Sequence, residues 1–229
     1  MSNSELNPYM DADYVEPKER LKTMVKEEIG NKPFSELSGV AFHHEGSTLA
    51  GHVLLDTLEE AGYSIDDFDA VGALTAAAVP FVSAMIQAAG ARGQELDGFV
   101  LDFVFPGIKG PSISGKRVVL LDAWLSEKSY IQTSSLVTLR NGNELNLDFG
   151  VVKSLGGTVV AIASLVGGLG DASAAVSAEH PATISVVNLV DDSHTDLPFI
   201  YAFDQAEVAQ SVNRQSTSPE TVNRESVND

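Results

Sequence analysis

Short apolar, β-branched runs alternate along this chain with segments of helical period, and that alternation restricts the fold more than any other feature. The runs fall at Ala70 to Leu74, Phe99 to Phe103, Arg117 to Asp122 and Thr158 to Val166, with later ones at Ala182 to Leu189 and Leu197 to Phe203. Pro80 to Ala89 reads as a helix between the first two. Runs of this kind are buried on both faces, so they predict an α/β fold built on a mainly parallel, twisted sheet flanked by helices. Ligands of such sheets bind beyond the carboxyl ends of the strands, here after Leu74 and after Leu121.

Two helices are expected ahead of the sheet. In Glu16 to Ile29 the residues Leu21, Met24, Val25 and Ile29 share a face, and Gly30 stops the pattern. From Ser47 to Ala61 the stripe is Leu49, Val53, Leu54 and Leu58, with Ser47 as the cap and Gly62 after the end. One stretch breaks the alternation. Ser134 to Leu139 and Glu144 to Phe149 flank Arg140-Asn141-Gly142-Asn143, and Asn-Gly between alternating segments predicts an inserted β-hairpin with a type I′ turn. A short helix, Phe149 to Leu155, closes at Gly156-Gly157. The expected organisation is a flexible acidic arm over 1–17, one domain over 18–203 and a disordered polar tail over 204–229.

Composition removes several functions. With 229 residues and 44% hydrophobic content, the chain can bury a continuous core. Its net charge of -18, from 32 acidic and 14 basic side chains, repels nucleic acid and anionic lipid, so neither is an expected partner. There is no cysteine, which excludes disulfides, thiolate metal sites and a cysteine nucleophile. The start carries no signal-peptide pattern, and the uncharged stretch Val71 to Ala89 is interrupted by Gly72, Thr75, Pro80 and Gln87, so a cytoplasmic protein without a membrane span is expected. His43-His44, His52, His180 and His194 lack metal-ligand spacing; surface or capping roles are expected for them, and no metal site. Gly167-Gly168-Leu169-Gly170 lacks the spacing of a dinucleotide loop.

Four segments carry a family resemblance. Val71-Gly72-Ala73-Leu74-Thr75-Ala76-Ala77-Ala78-Val79-Pro80 resembles the pyrophosphate loop of orotate phosphoribosyltransferases, whose usual form is V-G-G-L-T-x-G-A-x-P. Upstream of that loop, Val40 to His44 followed by Leu49 to His52 resembles the family's segment leading into the same helix. Gly115 to Asp122 is similar to the G-K-R-V run leading into its phosphoribosyl diphosphate motif, and Gly157 to Val160 to the G-x-V-V strand start beyond it. The likeness spans roughly Phe34 to Gly168 and implies the type I phosphoribosyltransferase fold.

What the resemblance implies for chemistry is mixed. Phosphoribosyl transfer needs backbone amides around Mg²⁺-pyrophosphate, a helix N-terminus at the 5′-phosphate and carboxylates on the ribose hydroxyls. Gly72, Ala73, Leu74 and Thr75 match the pyrophosphate loop. The family's second motif has two acids, two further residues, then T-T-G; here Asp122 keeps the first acid, Ala123 replaces the second and Ser126 can stand for the first threonine. Glu127, Lys128 and Ser129 complete a vestigial loop, in which Glu127 puts a carboxylate in the phosphate position. At about 4 Å from a phosphate charge it costs ~4 kcal/mol at an effective dielectric of about 20. Asp102 and Phe103 occupy the place of the family's basic pair, and Lys109 is the only candidate for its flexible-loop lysine.

Two functions follow from the resemblance. One is a divergent paralogue with weak or no transfer that binds a phosphorylated, nucleotide-like small molecule or a protein partner. The alternative is an active transferase joining a base, orotate for instance, to phosphoribosyl diphosphate with Mg²⁺, which only an active enzyme would need. A homodimer is implied by the family. The apolar run Phe103, Val104, Phe105, Pro106 and Ile108 predicts a packed segment in place of a mobile catalytic loop, seated at a dimer interface or on its own sheet.

Overall fold

The structure, a computed structural model, describes residues 14–30, 37–102, 107–126, 137–140, 144–147, 149–168, 182–187 and 194–209. The first helix, α1 (Pro17–Ile29), begins at a proline whose missing N–H costs nothing in the first turn. Its buried face is Leu21, Val25 and Ile29, four residues apart, and Gly30 ends it at φ 46°. After a four-residue helix, α2 (Ser38–Ala41), comes α3 (His44–Glu60). This helix starts three residues before the expected Ser47, because the cap is His43, whose Nδ1 accepts the Gly46 N–H at 3.3 Å.

The sheet opens with β1 (Ala70–Ala73), and a single 3₁₀ turn (Ala76–Ala78) leads into α4 (Val79–Ala91). Next come β2 (Asp97–Asp102), β3 (Gly107–Lys109) and β4 (Arg117–Ser126). The hairpin strands β5 (Val137–Arg140) and β6 (Glu144–Leu147) precede α5 (Phe149–Ser154). The chain finishes with β7 (Thr158–Gly168), β8 (Ala182–Val187), β9 (His194–Asp204) and α6 (Gln205–Ala209). In space the order is β3-β2-β1-β4-β7-β9-β8-β6-β5. The central neighbours β2, β1, β4, β7 and β9 are all parallel, as expected.

Helices α1, α3 and α4 cover one face, over Val71, Ala73, Val119, Leu121, Ala161 and Ala163. Alternate residues point the other way, where Leu74, Val118, Leu120 and Ile162 pack with Val152 of α5. Close approach of α3 to α4 depends on Gly51, where a Cβ would lie 2.3 Å from the Ala84 carbonyl oxygen. No described helix is long and apolar enough to cross a membrane.

The two strands of the hairpin are present. Arg140 pairs with Glu144 and Val137 with Leu147, so three residues connect the strands. The type I′ turn expected at Asn141-Gly142 lies outside the described residues. Strand β6 joins β8, which places the hairpin at the far edge of the sheet. Three further segments bear on what was expected. Gly107–Lys109 is an edge strand antiparallel to β2, so the expected packing of this segment is on its own sheet, with Ile108 against the second core; 103–106 lie outside the described residues. Helix α6 carries the fold past the expected boundary at 204, because Val208 is fully buried. Lastly, β4 runs four residues beyond Asp122.

Candidate functional site

Just beyond the carboxyl end of β1, two of the expected residues meet, one of them within β4. The ladder pairs Ala73 with Leu121, and the Leu74 N–H continues it to the Leu121 carbonyl at 2.9 Å. One residue on, Thr75 Oγ1 donates to Asp122 Oδ1 at 2.7 Å. The same carboxylate oxygen accepts the Ala123 N–H at 2.7 Å. Asp122 is buried at 4% exposure. Burial pushes its carboxyl up from the usual 3.8 to about 6, against the opposing pull of the Thr75 hydroxyl and the Ala123 and Trp124 amides.

Beyond Asp122 the chain stays in the sheet. Strand β4 continues through Ala123, Trp124, Leu125 and Ser126, with Trp124 beside Val166 and Ser126 beside Gly168. Ala123, Trp124 and Leu125 are buried. Trp124 packs in the helix-side core and donates its indole N–H to Gln205 of α6 at 2.9 Å. Leu125 joins the opposite core. The segment expected to begin a loop around phosphate is therefore a buried apolar strand whose backbone is paired with β7. Glu127, Lys128 and Ser129 lie outside the described residues, so of the vestigial loop only Asp122 and Ser126 are located, both within β4.

The pyrophosphate-loop match also has a packing explanation. Gly72 pairs with Phe99 across β1 and β2, and a Cβ on Gly72 would lie 2.3 Å from Phe99 Cζ. The glycine gives room to a buried ring. Ala73 and Leu74 are fully buried, so of the four matched residues only Thr75 is partly exposed. The flexible-loop candidate Lys109 sits on β3, where its Nζ pairs with Asp102 at 3.0 Å. Asp102 stands at the end of β2, in the expected place of a basic pair, so the cation there is neutralised within the sheet edge.

Sequence reasoning missed the Thr75–Asp122 contact, although each residue directly follows a buried run in neighbouring strands. It also stopped β4 at the motif boundary, while Ala123-Trp124-Leu125 already offered apolar residues to continue it. No group of three or more His, Asp or Glu among the described residues could hold a metal ion. The candidate carboxylate for a Mg²⁺-diphosphate ligand is the buried Asp122, and Ala123 supplies no second one, so the residues present do not fit that group.

No family model matches the chain. It is 37% identical over 95 residues to the orotate phosphoribosyltransferase of Streptomyces avermitilis, covering 39% of this chain and 50% of that one. To the orotate phosphoribosyltransferase of Streptomyces coelicolor it is 32% identical over 139 residues, covering 58% of this chain and 66% of that one. The chain thus spans only about half of the first relative and about two thirds of the second. Its fold is similar to the crystal structure of Mycobacterium tuberculosis orotate phosphoribosyltransferase in complex with inorganic phosphate, with a TM-score of 0.54 at 20% identity over 85% of this chain and 92% of that one. The same enzyme in complex with 5-phospho-α-D-ribosyl 1-diphosphate gives a TM-score of 0.50 at 20% identity, over 84% of this chain and 99% of that one.

Proposed function

We propose, on the premise that this chain has the type I phosphoribosyltransferase fold and is orotate phosphoribosyltransferase-like, that it is a divergent member with weak or no phosphoribosyl transfer, which keeps the domain as a binding scaffold. The observation that carries this is the continuation of β4 from Asp122 to Ser126 along β7. A phosphate cradle needs free backbone amides and small residues at close approach. Here the corresponding backbone is engaged in the sheet, and Trp124 and Leu125 fill the space on its two faces. Asp122, the one acid retained, is occupied by Thr75, and burial makes it hold its proton up to about pH 6. The resident ligand of such a scaffold is a phosphorylated small molecule or a protein partner, and the chain acts as a homodimer; sedimentation tests the latter.

Active transfer is the second reading. It is favoured by the juxtaposition of Thr75 and Asp122, two residues that match the family's motifs, and by the activity for which the relatives are named. It requires the end of β4 to leave the sheet and form a loop. Trp124 is the only tryptophan, so its emission reports that event directly. The test titrates the full chain with phosphoribosyl diphosphate and Mg²⁺ by calorimetry and by Trp124 fluorescence, and assays pyrophosphate release with orotate. The expected result is binding no tighter than roughly millimolar and an unchanged buried-indole emission. Saturable low-micromolar binding with a red shift of Trp124 overturns the proposal in favour of the second reading.

A further inference from the structure

The other end of the sheet carries a second candidate site. A cavity of about 240 Å³ opens between α5, the start of β7 and the start of β9. Because β7 and β9 run parallel, Thr158, Val159, Thr195 and Leu197 stand at their amino ends, opposite the end that holds Asp122. Val152 and Leu197, both buried, form its apolar floor, while Lys153, Thr158 and Thr195 lie exposed around it.

The walls are fixed by backbone hydrogen bonds. Gly157 N–H donates to the Val152 carbonyl at 3.0 Å and Thr158 N–H to the Lys116 carbonyl at 2.9 Å. The turn between α5 and β7 needs glycine, since Gly156 has φ 81° and a Cβ on Gly157 would come within 3.0 Å of Ile113 Cδ1.

Lys153 sets this cavity apart. In a chain of net charge -18 the other described cations are mostly matched: Arg20 with Glu45, Arg92 with Asp56, Lys109 with Asp102, Lys116 with Asp97 and Arg117 with Asp69. Lys153 makes no ion pair among the described residues, and it stands in the last turn of α5 beside an apolar floor and two hydroxyls. An ammonium, two hydroxyls and an apolar wall recognise one chemical class well, a monoanion with a small apolar body. The volume lies below the roughly 300–1,000 Å³ of drug-sized pockets, which limits the body to about one ring or a short aliphatic chain.

We infer that this cavity is a binding site for a small apolar carboxylate, with Lys153 as its anion-recognising residue. The inference is independent of the fate of Asp122. The test uses benzoate as probe and benzamide as its neutral counterpart, with backbone amide spectra of the full chain. Benzoate shifts the amides of Val152 to Val159 and Thr195 to Leu197 saturably, and benzamide binds at least roughly tenfold more weakly. Lys153→Gln lowers benzoate to the level of benzamide and leaves thermal unfolding unchanged, while Lys153→Arg restores the preference. Equal binding of the two probes, shifts confined to other parts of the chain, or no saturation by roughly 10 mM each overturns it.

Discussion

Replacing Asp122 with asparagine tests whether the end of β4 is sheet or loop. The carboxyl is pushed from 3.8 to about 6 by burial. Between these values the unfolded chain has released its proton while the folded chain keeps it, so the folded state binds more protons and stability falls as pH rises. Below 3.8 both states are protonated and the group contributes nothing to the pH dependence. Above 6 both are ionised, and the folded state bears a cost of about 3 kcal/mol, from the difference of roughly two units at 1.36 kcal/mol each. Asparagine does not titrate but can still accept the Thr75 hydroxyl. The assay is urea unfolding of wild type and Asp122→Asn in parallel from pH 4 to 8. Taking the difference cancels the self-repulsion of a chain with net charge -18. Relative to wild type, the variant should gain up to about 3 kcal/mol between pH 4 and pH 7, or ~6–12 °C in midpoint at this chain length. A constant offset at pH 7 from the lost amide contacts leaves that slope intact. Stability curves that stay parallel across the range refute the reasoning, because a carboxylate on a solvated loop titrates near its usual value in both states.

Two further substitutions test local packing. Gly72→Ala should destabilise the fold by about 1–3 kcal/mol through the clash with the Phe99 ring, and Phe99→Leu in the same chain should recover part of that loss in denaturant melts. If the double variant is no better than Gly72→Ala alone, the glycine serves something other than the ring. His43→Ala should cost ~1 kcal/mol by removing the acceptor of the Gly46 N–H, with His43→Asn close to wild type; equal losses in both would show that the α3 cap is not the reason.

The central strands were legible because Ala70 to Leu74 and Arg117 to Asp122 are apolar runs too short for helices. Helices α1 and α3 were legible from their apolar spacing, although the α3 cap was not, since a histidine is an uncommon one and Ser47 stood in a more typical position. Strand β3 has only three residues and is defined by its partner β2. Helix α6 depends on Val208, the one large apolar residue among Gln205–Ala209, which no periodicity could single out. At the site, the family resemblance pointed to Thr75 and Asp122, but their contact depends on the β1–β4 register. The assignment of Ser126 to a loop failed for a different reason: a motif laid on from relatives stopped the strand at its acid, while burial of Ala123, Trp124 and Leu125 carries it on.

That continuation bears on function through the cost of undoing it. To make a phosphate loop after Asp122, Trp124 and Leu125 must leave two opposite cores. Burial of a large apolar side chain contributes about 1.5–3 kcal/mol, so opening costs ~3–6 kcal/mol for this pair before the backbone bonds to β7 are counted. A ligand that binds only the opened chain has its affinity reduced by the opened fraction, a factor of about 10²–10⁴ for that range. Even an intrinsically micromolar diphosphate site would then appear at roughly 0.1–10 mM. The close packing continues around the end of the sheet: a Cβ on Gly167 would lie 2.5 Å from Tyr201 Cγ, and Gln205 holds the Trp124 indole. The substitutions in the motif and the growth of β4 therefore act in the same direction. Restoring the family's acids and threonines alone would leave the apolar strand where it is, and the residues that must change first are Trp124 and Leu125.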